Sequence, residues 1–321
     1  MKKYIWNLFL AALLSVCVGT TAFADESGEP IQIVATIFPE YDWVQQILGA
    51  QADNAELTLL LDSGVDLHNY QPTVDDILAV SDCDLFIYVG GESDEWVDDV
   101  LKEAVNEDMV VLDLLEILGD AAVEEETVEG METGEEENDE EETEYDEHVW
   151  LSLKNAQVFC EAIAEALEGI DPDHADLYAE NAAEYLSELA ALDEAYQAAV
   201  DEASVTTLLF GDRFPFRYLT EDYGLDYYAA FSGCSAESEA SFETITFLAG
   251  KVDELGLNYV MTIESSDGKI AQTIISCTST QEQEVLTLNS VQSTTLQDAA
   301  EGVTYLSIME ENLEVLTQAL Q

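Results

Sequence analysis

Only three histidines occur in this 321-residue chain, and two of them stand where an imidazole could do chemistry. His68 closes the polar loop Asp62-Ser-Gly-Val-Asp-Leu-His68, and Asn69-Tyr-Gln-Pro72 follows it. His148 follows a run, Glu124 to Glu147, in which fifteen of twenty-four residues are Asp or Glu and none is Lys or Arg. A neutral imidazole is a nitrogen ligand for transition metals, and a dense negative field in front of it concentrates cations. On charge alone, a solvated acidic insertion beside an ordinary histidine is the simpler reading, because such a run repels itself and cannot bury a core. His174 lies among Asp171, Asp173 and Asp176 at the start of a helix and reads as a surface residue.

The pattern of the chain supplies elements that could bring these groups together. Apolar strands are expected at 31–37, 57–61, 85–89 and 109–112, alternating with helices at 40–48, 73–80 and 94–105. Continuous apolar strands alternating with helices predict a parallel α/β sheet. After the acidic loop 121–147, a helix is expected from Ser152 to Leu167. Asp171-Pro172 then reads as an N-cap followed by proline at the first helical position. The apolar spacing from Leu177 or Tyr178 through Ala182, Tyr185, Leu189, Leu192 and Tyr196 to Val200 predicts one helix of about thirty residues, about 45 Å long. The α/β pattern restarts with a strand at 205–210, a loop at 211–215, a helix at 216–223 and strands at 227–231, 258–263 and 285–288. The expected plan is therefore two parallel-sheet α/β lobes, 25–170 and 203–321, bridged by one long rigid helix, 171–202.

Residues 1–24 read as a secretory signal peptide, with Lys2-Lys3, an apolar run from Tyr4 to Val18 and an Ala22-x-Ala24 cleavage site. Leu14-Ser-Val-Cys17 approaches a lipoprotein box, with Val16 where a small residue is expected. The mature chain would keep six basic residues, Lys102, Lys154, Arg213, Arg217, Lys251 and Lys269, against seventy acidic ones. That balance excludes ordinary nucleic-acid binding, which requires cationic neutralisation of phosphates, and disfavours anionic membrane surfaces. Of the remaining cysteines, Cys83 and Cys160 lie in apolar surroundings and read as buried thiols, while Cys234 and Cys277 are candidates for a disulfide. The segment around Ser265-Ser266 has no paired base, so nucleophilic catalysis has little support and no enzyme is expected.

Open parallel sheets bind ligands at the carboxyl ends of their strands. Four such ends carry candidate groups: His68 after the second strand, His148 after the fourth, Asp212 and Arg213 after the first strand of the second lobe, and Asn289 after the last. Two imidazoles from one lobe facing oxygen groups from the other would make a mixed nitrogen and oxygen site in the interlobe cleft, suited to zinc or manganese.

Two motifs, His68-x-Tyr70-x-Pro72 and His148-Val-Trp150-Leu-Ser-Leu-Lys154-Asn-Ala156, resemble those of the solute-binding proteins of zinc and manganese ABC importers. So do Ala35-Thr-Ile-Phe-Pro39, Phe231-Ser-Gly-Cys-Ser-Ala-Glu237 and Ile263-Glu-Ser-Ser266, and the likeness runs from about residue 31 to the end. The resemblance implies two α/β lobes joined by a rigid helix, with a metal between them and little lobe opening. It implies an exported receptor, periplasmic or extracellular or attached to the cell surface. Such a receptor would be a monomer that hands Zn2+, or alternatively Mn2+, to a membrane permease. The family's charged loop between the first two ligands is usually rich in histidine; here it is acidic and has none.

The resemblance also exposes a departure. Counting back from Tyr223-Gly224, the position of the family's third ligand, His or Glu, is Arg213, and its fourth, usually Asp, is Asn289. A guanidinium cannot ligate a metal. Asp212, Glu264 or an acid of the loop could complete a set begun by His68 and His148, with Arg213 paired to a carboxylate. The alternative is a surface adhesin or scaffold, or a receptor for another small solute, that keeps the fold without tight metal binding. A metallohydrolase would need a general base that no motif supplies.

Overall fold

The computed structural model describes residues 30–64, 66–132, 144–235 and 239–321. The leader, with Cys17, and the middle of the acidic loop lie outside the described residues.

Each lobe is built on a four-stranded sheet, and the two sheets have the same design. β1 (Ile31–Ala35), β2 (Ala55–Leu59), β3 (Leu85–Tyr88) and β4 (Val110–Asp113) are arranged in the order β2-β1-β3-β4, and every pair is parallel. In the second lobe, β5 (Thr207–Phe214), β6 (Asp226–Ser232), β7 (Tyr259–Ile263) and β8 (Glu284–Leu288) repeat it as β6-β5-β7-β8. Strand order reverses beside β1 and beside β5, so each sheet has its crevice there, at the carboxyl ends. The crossovers of the first lobe are α1 (Phe38–Leu48), α2 (Val74–Asp82) and α3 (Glu95–Lys102); the short α4 (Leu114–Leu118) follows β4. Thr73 caps α2 as expected, accepting from the Asp76 amide at 3.2 Å. The second lobe adds α7 (Arg217–Tyr223), α8 (Phe242–Leu255), α9 (Lys269–Cys277), α10 (Leu296–Ala300) and α11 (Tyr305–Ala319).

Between the sheets run α5 (Leu153–Ile170) and the long α6 (Ala175–Asp201). Tyr178, Ala182, Tyr185, Leu189, Leu192 and Tyr196 recur every three or four residues on α6 and are buried, so one face of the helix is continuous core. That face meets α1 and α5 on one side and α11 and α7 on the other. The helix starts three residues later than Asp171-Pro172 suggests. The Asp171 side chain instead accepts from His174 Nδ1 at 2.7 Å and from Tyr178 Oη at 2.8 Å, which ties the α5–α6 corner down.

The largest apolar cluster passes unbroken from Ile33 and Trp43 through Trp150 and Tyr196 to Phe210, Leu288 and Leu316, and so belongs to both lobes. Polar contacts cross the same boundary. Trp150 Nε1 donates to the Ser290 carbonyl (2.9 Å), Tyr305 Oη to the Trp150 carbonyl (2.7 Å) and Tyr218 Oη to the Asp146 carbonyl (3.0 Å). A shared core of this kind resists hinge opening, unlike the small polar interfaces that let domains move. Among the described residues, no helix is long and apolar enough to cross a membrane.

One element differs from expectation in a way that matters for the cleft. β5 does not stop at Phe210. It continues through Gly211-Asp-Arg to Phe214, with a register shift between Phe210 and Arg213, and pairs Arg213 with Phe231 of β6. Asp212 and Arg213 therefore lie on an irregular strand end and not in a loop.

Candidate metal centre

The two imidazoles meet. His68 is carried by a 3₁₀ turn, 67–69, and its backbone N–H donates to Asp66 Oδ1 at 3.1 Å, which caps the turn. His148 precedes a second 3₁₀ turn, 149–151, and is fully buried. Their Nε2 atoms stand 3.3 Å apart.

The partners of the other ring nitrogens decide what that distance means. His148 Nδ1 lies 3.0 Å from Asp146 Oδ1, which also accepts the His148 backbone N–H at 2.8 Å. His68 Nδ1 lies 2.8 Å from Ser93 Oγ and 3.2 Å from Glu147 Oε2, and that hydroxyl donates onward to Glu147 Oε2 at 2.5 Å. Carboxylates only accept, so each Nδ1 carries a proton, and in the neutral ring each Nε2 presents a lone pair. Two lone pairs aimed at one point repel unless a cation lies between them. Nitrogens each about 2.0–2.1 Å from one tetrahedral zinc are about 3.3–3.4 Å apart, the spacing found here. Carboxylate backing of a ligating imidazole fixes its tautomer and raises its basicity.

The same carboxylates favour the protonated imidazole, so a proton competes with a metal ion for His68 Nε2. Burial works to lower the His68 pKa, but the hydrogen bond to Glu147 and the charges of Asp66 and Glu147 outweigh it and raise it. Burial works to raise the Glu147 carboxyl, and the hydrogen bonds from His68 and Ser93 bring it below its usual range. The last two acids of the acidic run, Asp146 and Glu147, are thus buried at 2% and 3% exposure and are not solvated loop residues. The base of the run is pinned by a bridge between Glu124 and Tyr145 and by Glu125 N–H donating to the Glu144 carbonyl at 2.9 Å.

Glycine permits two close approaches around the pair. At Gly91 (φ +81°) a Cβ would collide with the Glu147 side chain. At Gly233 a Cβ would sit 2.8 Å from His148 Cε1 and 3.0 Å from the Phe214 carbonyl oxygen, so the turn after β6 lies flat against the imidazole.

The second lobe's predicted donors are placed otherwise. Arg213 reaches across the cleft to Asp66 Oδ2, 2.5 Å away, so its partner is a carboxylate. Burial acts to raise the Asp66 carboxyl, but Arg213 and His68 hold it below its usual range. Asp212 Oδ1 accepts its neighbour's N–H from Arg213 at 2.9 Å, and burial pushes its carboxyl up. Glu264 accepts from the Ser290 N–H (2.7 Å), Ser290 Oγ (2.9 Å) and Ser293 Oγ (2.8 Å), which turns it into a brace for the loop after β8. Asn289 Oδ1 accepts from the Val291 N–H at 2.7 Å, and Asn289 lines a separate cavity with Ser307 and Glu311. Among the described residues, Asp212 and Glu264 are not part of the donor group that contains the imidazoles. Their strand-end positions are right, but Glu264, Asn289 and one oxygen of Asp212 are drawn into their own lobe's hydrogen bonding, while Asp212 Oδ2 is buried without a partner among the described residues.

Cys234 is the group that does arrive. Among the described residues, His68, His148 and Cys234 form a group whose potential donor atoms all lie within 4.8 Å of one another. Cys234 is a free thiol, as are Cys83, Cys160 and Cys277, so the disulfide considered for Cys234 and Cys277 is not formed. Topology explains why. Cys234 follows the carboxyl end of β6, whereas Cys277 ends α9, which starts at that edge of the sheet and runs back toward the other. Burial, followed by the charges of Glu125, Asp146 and Glu147, pushes the Cys234 thiol up. A cavity of about 550 Å³ flanks the centre, with Asn69 on one wall and Asp212, Arg213, Phe231 and Ser235 on the other.

Known proteins share this arrangement of lobes. The family model described as zinc-uptake complex component A, periplasmic, matches residues 33–319. Zinc-binding lipoprotein AdcA of Streptococcus pneumoniae serotype 4 is 31% identical, over 99% of this chain and 61% of that protein, so the chain spans about three-fifths of that relative's length. The high-affinity zinc uptake system protein ZnuA of Bacillus subtilis strain 168 is 28% identical over 99% of this chain and 98% of its own. The crystal structure of the Zn(II)-bound ZnuA-like domain of S. pneumoniae AdcA matches with a TM-score of 0.70 at 27% identity, covering 91% of this chain and 99% of that domain.

Proposed function

The chain belongs to the zinc-uptake complex component A family, and we propose that it is the extracytoplasmic receptor that captures zinc and delivers it to the permease of an ABC importer. Zinc is the cargo, and the protein carries out no reaction on it. The observation that supports this reading most is the pair of Nε2 atoms 3.3 Å apart, each imidazole held from behind by a buried carboxylate. His68 and His148 would bind the ion. Asp146, Glu147 and Ser93 would hold the rings in the ligating tautomer, and the shared core would keep the lobes together while the ion waits. Manganese, which prefers oxygen donors, fits this nitrogen pair less well. The acidic run would raise the local cation concentration, a role excluded by a loading rate that does not fall with ionic strength.

Calorimetric titration of the chelator-stripped protein with zinc tests the reading. Micromolar or tighter binding is expected, lost in His148→Ala with the fold intact by circular dichroism. A wild type that binds no zinc would overturn the receptor assignment in favour of a scaffold that keeps only the fold.

A further inference from the structure

We infer that Cys234 is the second lobe's ligand to the captured ion, so that the site offers two imidazole nitrogens and one thiolate sulfur. This rests on the zinc-receptor reading above and specifies its donor set. Four observations carry it.

Cys234 belongs to the only group of three such donors found among the described residues. A zinc–sulfur bond of about 2.3 Å and a zinc–nitrogen bond of about 2.0–2.1 Å place sulfur and nitrogen about 3.6 Å apart in a tetrahedron. Donors already within 4.8 Å of one another need shifts on the order of 1 Å, which one torsion of a cysteine side chain can supply. Second, the backbone is built to bring this residue in. Gly233 lies flat on the His148 ring where any Cβ would clash, and the Cys234 N–H donates to Glu125 Oε1 of the first lobe at 3.3 Å. Third, three other strand-end groups of the second lobe are already engaged: Arg213 is paired with Asp66, and Glu264 and Asn289 are bonded within their own loop. Fourth, no disulfide occupies the sulfur.

On binding, the Sγ–H bond of Cys234 breaks. The electron pair goes to zinc and the proton to solvent, so loading releases one thiol proton. A thiolate is a soft donor that suits zinc and discriminates against manganese. The first lobe would supply a preset pair, and the second would close the coordination with sulfur where a guanidinium has taken the position of a ligand.

Cobalt(II) titration tests this on the protein with Cys277, the exposed thiol, changed to serine. A near-ultraviolet sulfur-to-cobalt charge-transfer band is expected, absent in Cys234→Ser. Zinc affinity, measured by competition with a chromophoric chelator, should fall in Cys234→Ser by more than about a hundredfold, beyond the loss typical of an outer partner, and recover in part in Cys234→His. Absence of the band in a protein whose zinc binding His148→Ala abolishes would overturn the thiolate and leave the receptor standing. Absence of zinc binding altogether would overturn both.

Discussion

The two faces of the cleft share a topology but not a strategy. The first lobe presents a preset pair of candidate ligands: two imidazoles, one buried and one nearly so, each backed by a carboxylate that comes from the end of the acidic run. At the matching strand ends of the second lobe, polar groups are spent on holding the structure together. Arg213 grips Asp66 across the gap, Glu264 braces the loop after β8, and Asn289 closes a turn. Preorganisation on one side and a latch on the other can coexist because a metal needs precision only from the groups that touch it. The contrast implies that first-lobe changes alter affinity directly, whereas second-lobe changes matter only at Cys234 and where the backbone presses on the imidazoles.

Gly233→Val is the severest test of that statement, because it alters the second lobe where its backbone presses on an imidazole. Even a Cβ would lie 2.8 Å from His148 Cε1, so the ring must move and the Nε2 spacing is lost. We expect zinc affinity to fall by about a hundredfold or more and stability by about 1–3 kcal/mol from overpacking, measured by calorimetry and urea unfolding. Unchanged affinity would mean that the second lobe does not set His148. Next come Asp146→Ala and Glu147→Ala, which leave the ligands in place and remove their backing. Each should weaken zinc by about 10–100-fold. A large loss for one and none for the other would show that only one imidazole is held by its carboxylate.

How much of this was readable beforehand follows from what kind of signal each residue gives. His68 and His148 were legible because scarce imidazoles at strand ends have few structural roles, and the strands themselves because buried parallel strands are continuous apolar runs. Asp146 and Glu147 were not legible as buried groups, since a run of acids reads as solvated until a partner for its last members is known. Cys234 satisfied the same strand-end rule as the histidines, two residues beyond β6, yet a cysteine in an exported chain reads first as half of a disulfide. The extension of β5 through Asp212 and Arg213 depends on pairing with Phe231 and Ser232, a tertiary fact that local propensity does not contain.

A smaller effect should come from the acids buried in the first lobe. Burial raises the carboxyls of Asp42 to about 6 and of Asp94 to about 7, and Glu40 is raised as well. Groups whose folded pKa exceeds the unfolded value bind more protons when folded. They therefore stabilise the fold in acid, and that contribution is lost as pH rises from about 4 through about 7. The metal-free protein should be more stable at pH 5 than at pH 8 by a few kcal/mol at most, about 1.4 kcal/mol for each pKa unit. Asp94→Asn should raise stability at pH 8 by about 1–2 kcal/mol and flatten the dependence. A steeper profile in that variant would show that the carboxylate form is the one the lobe requires.

The smallest effect on zinc is expected from the residue that most disturbs the family pattern. Arg213 stands where the resemblance expects a ligand, and its guanidinium pairs with Asp66, whose other oxygen caps the turn that carries His68. Both side chains are mostly buried, so Arg213→Ala leaves a carboxylate without its charge partner and should cost about 2 kcal/mol of stability. Asp66 Oδ1 then stays within 3.9 Å of His68 Nε2, freed from the guanidinium and still beside the site. Its negative charge near the incoming cation offsets the looser turn, so zinc affinity should change less than about tenfold, or under about 1.4 kcal/mol. Calorimetry and urea unfolding on the same preparation separate the two quantities. A stable Arg213→Ala protein that no longer binds zinc would make the guanidinium part of the binding machinery and not a latch.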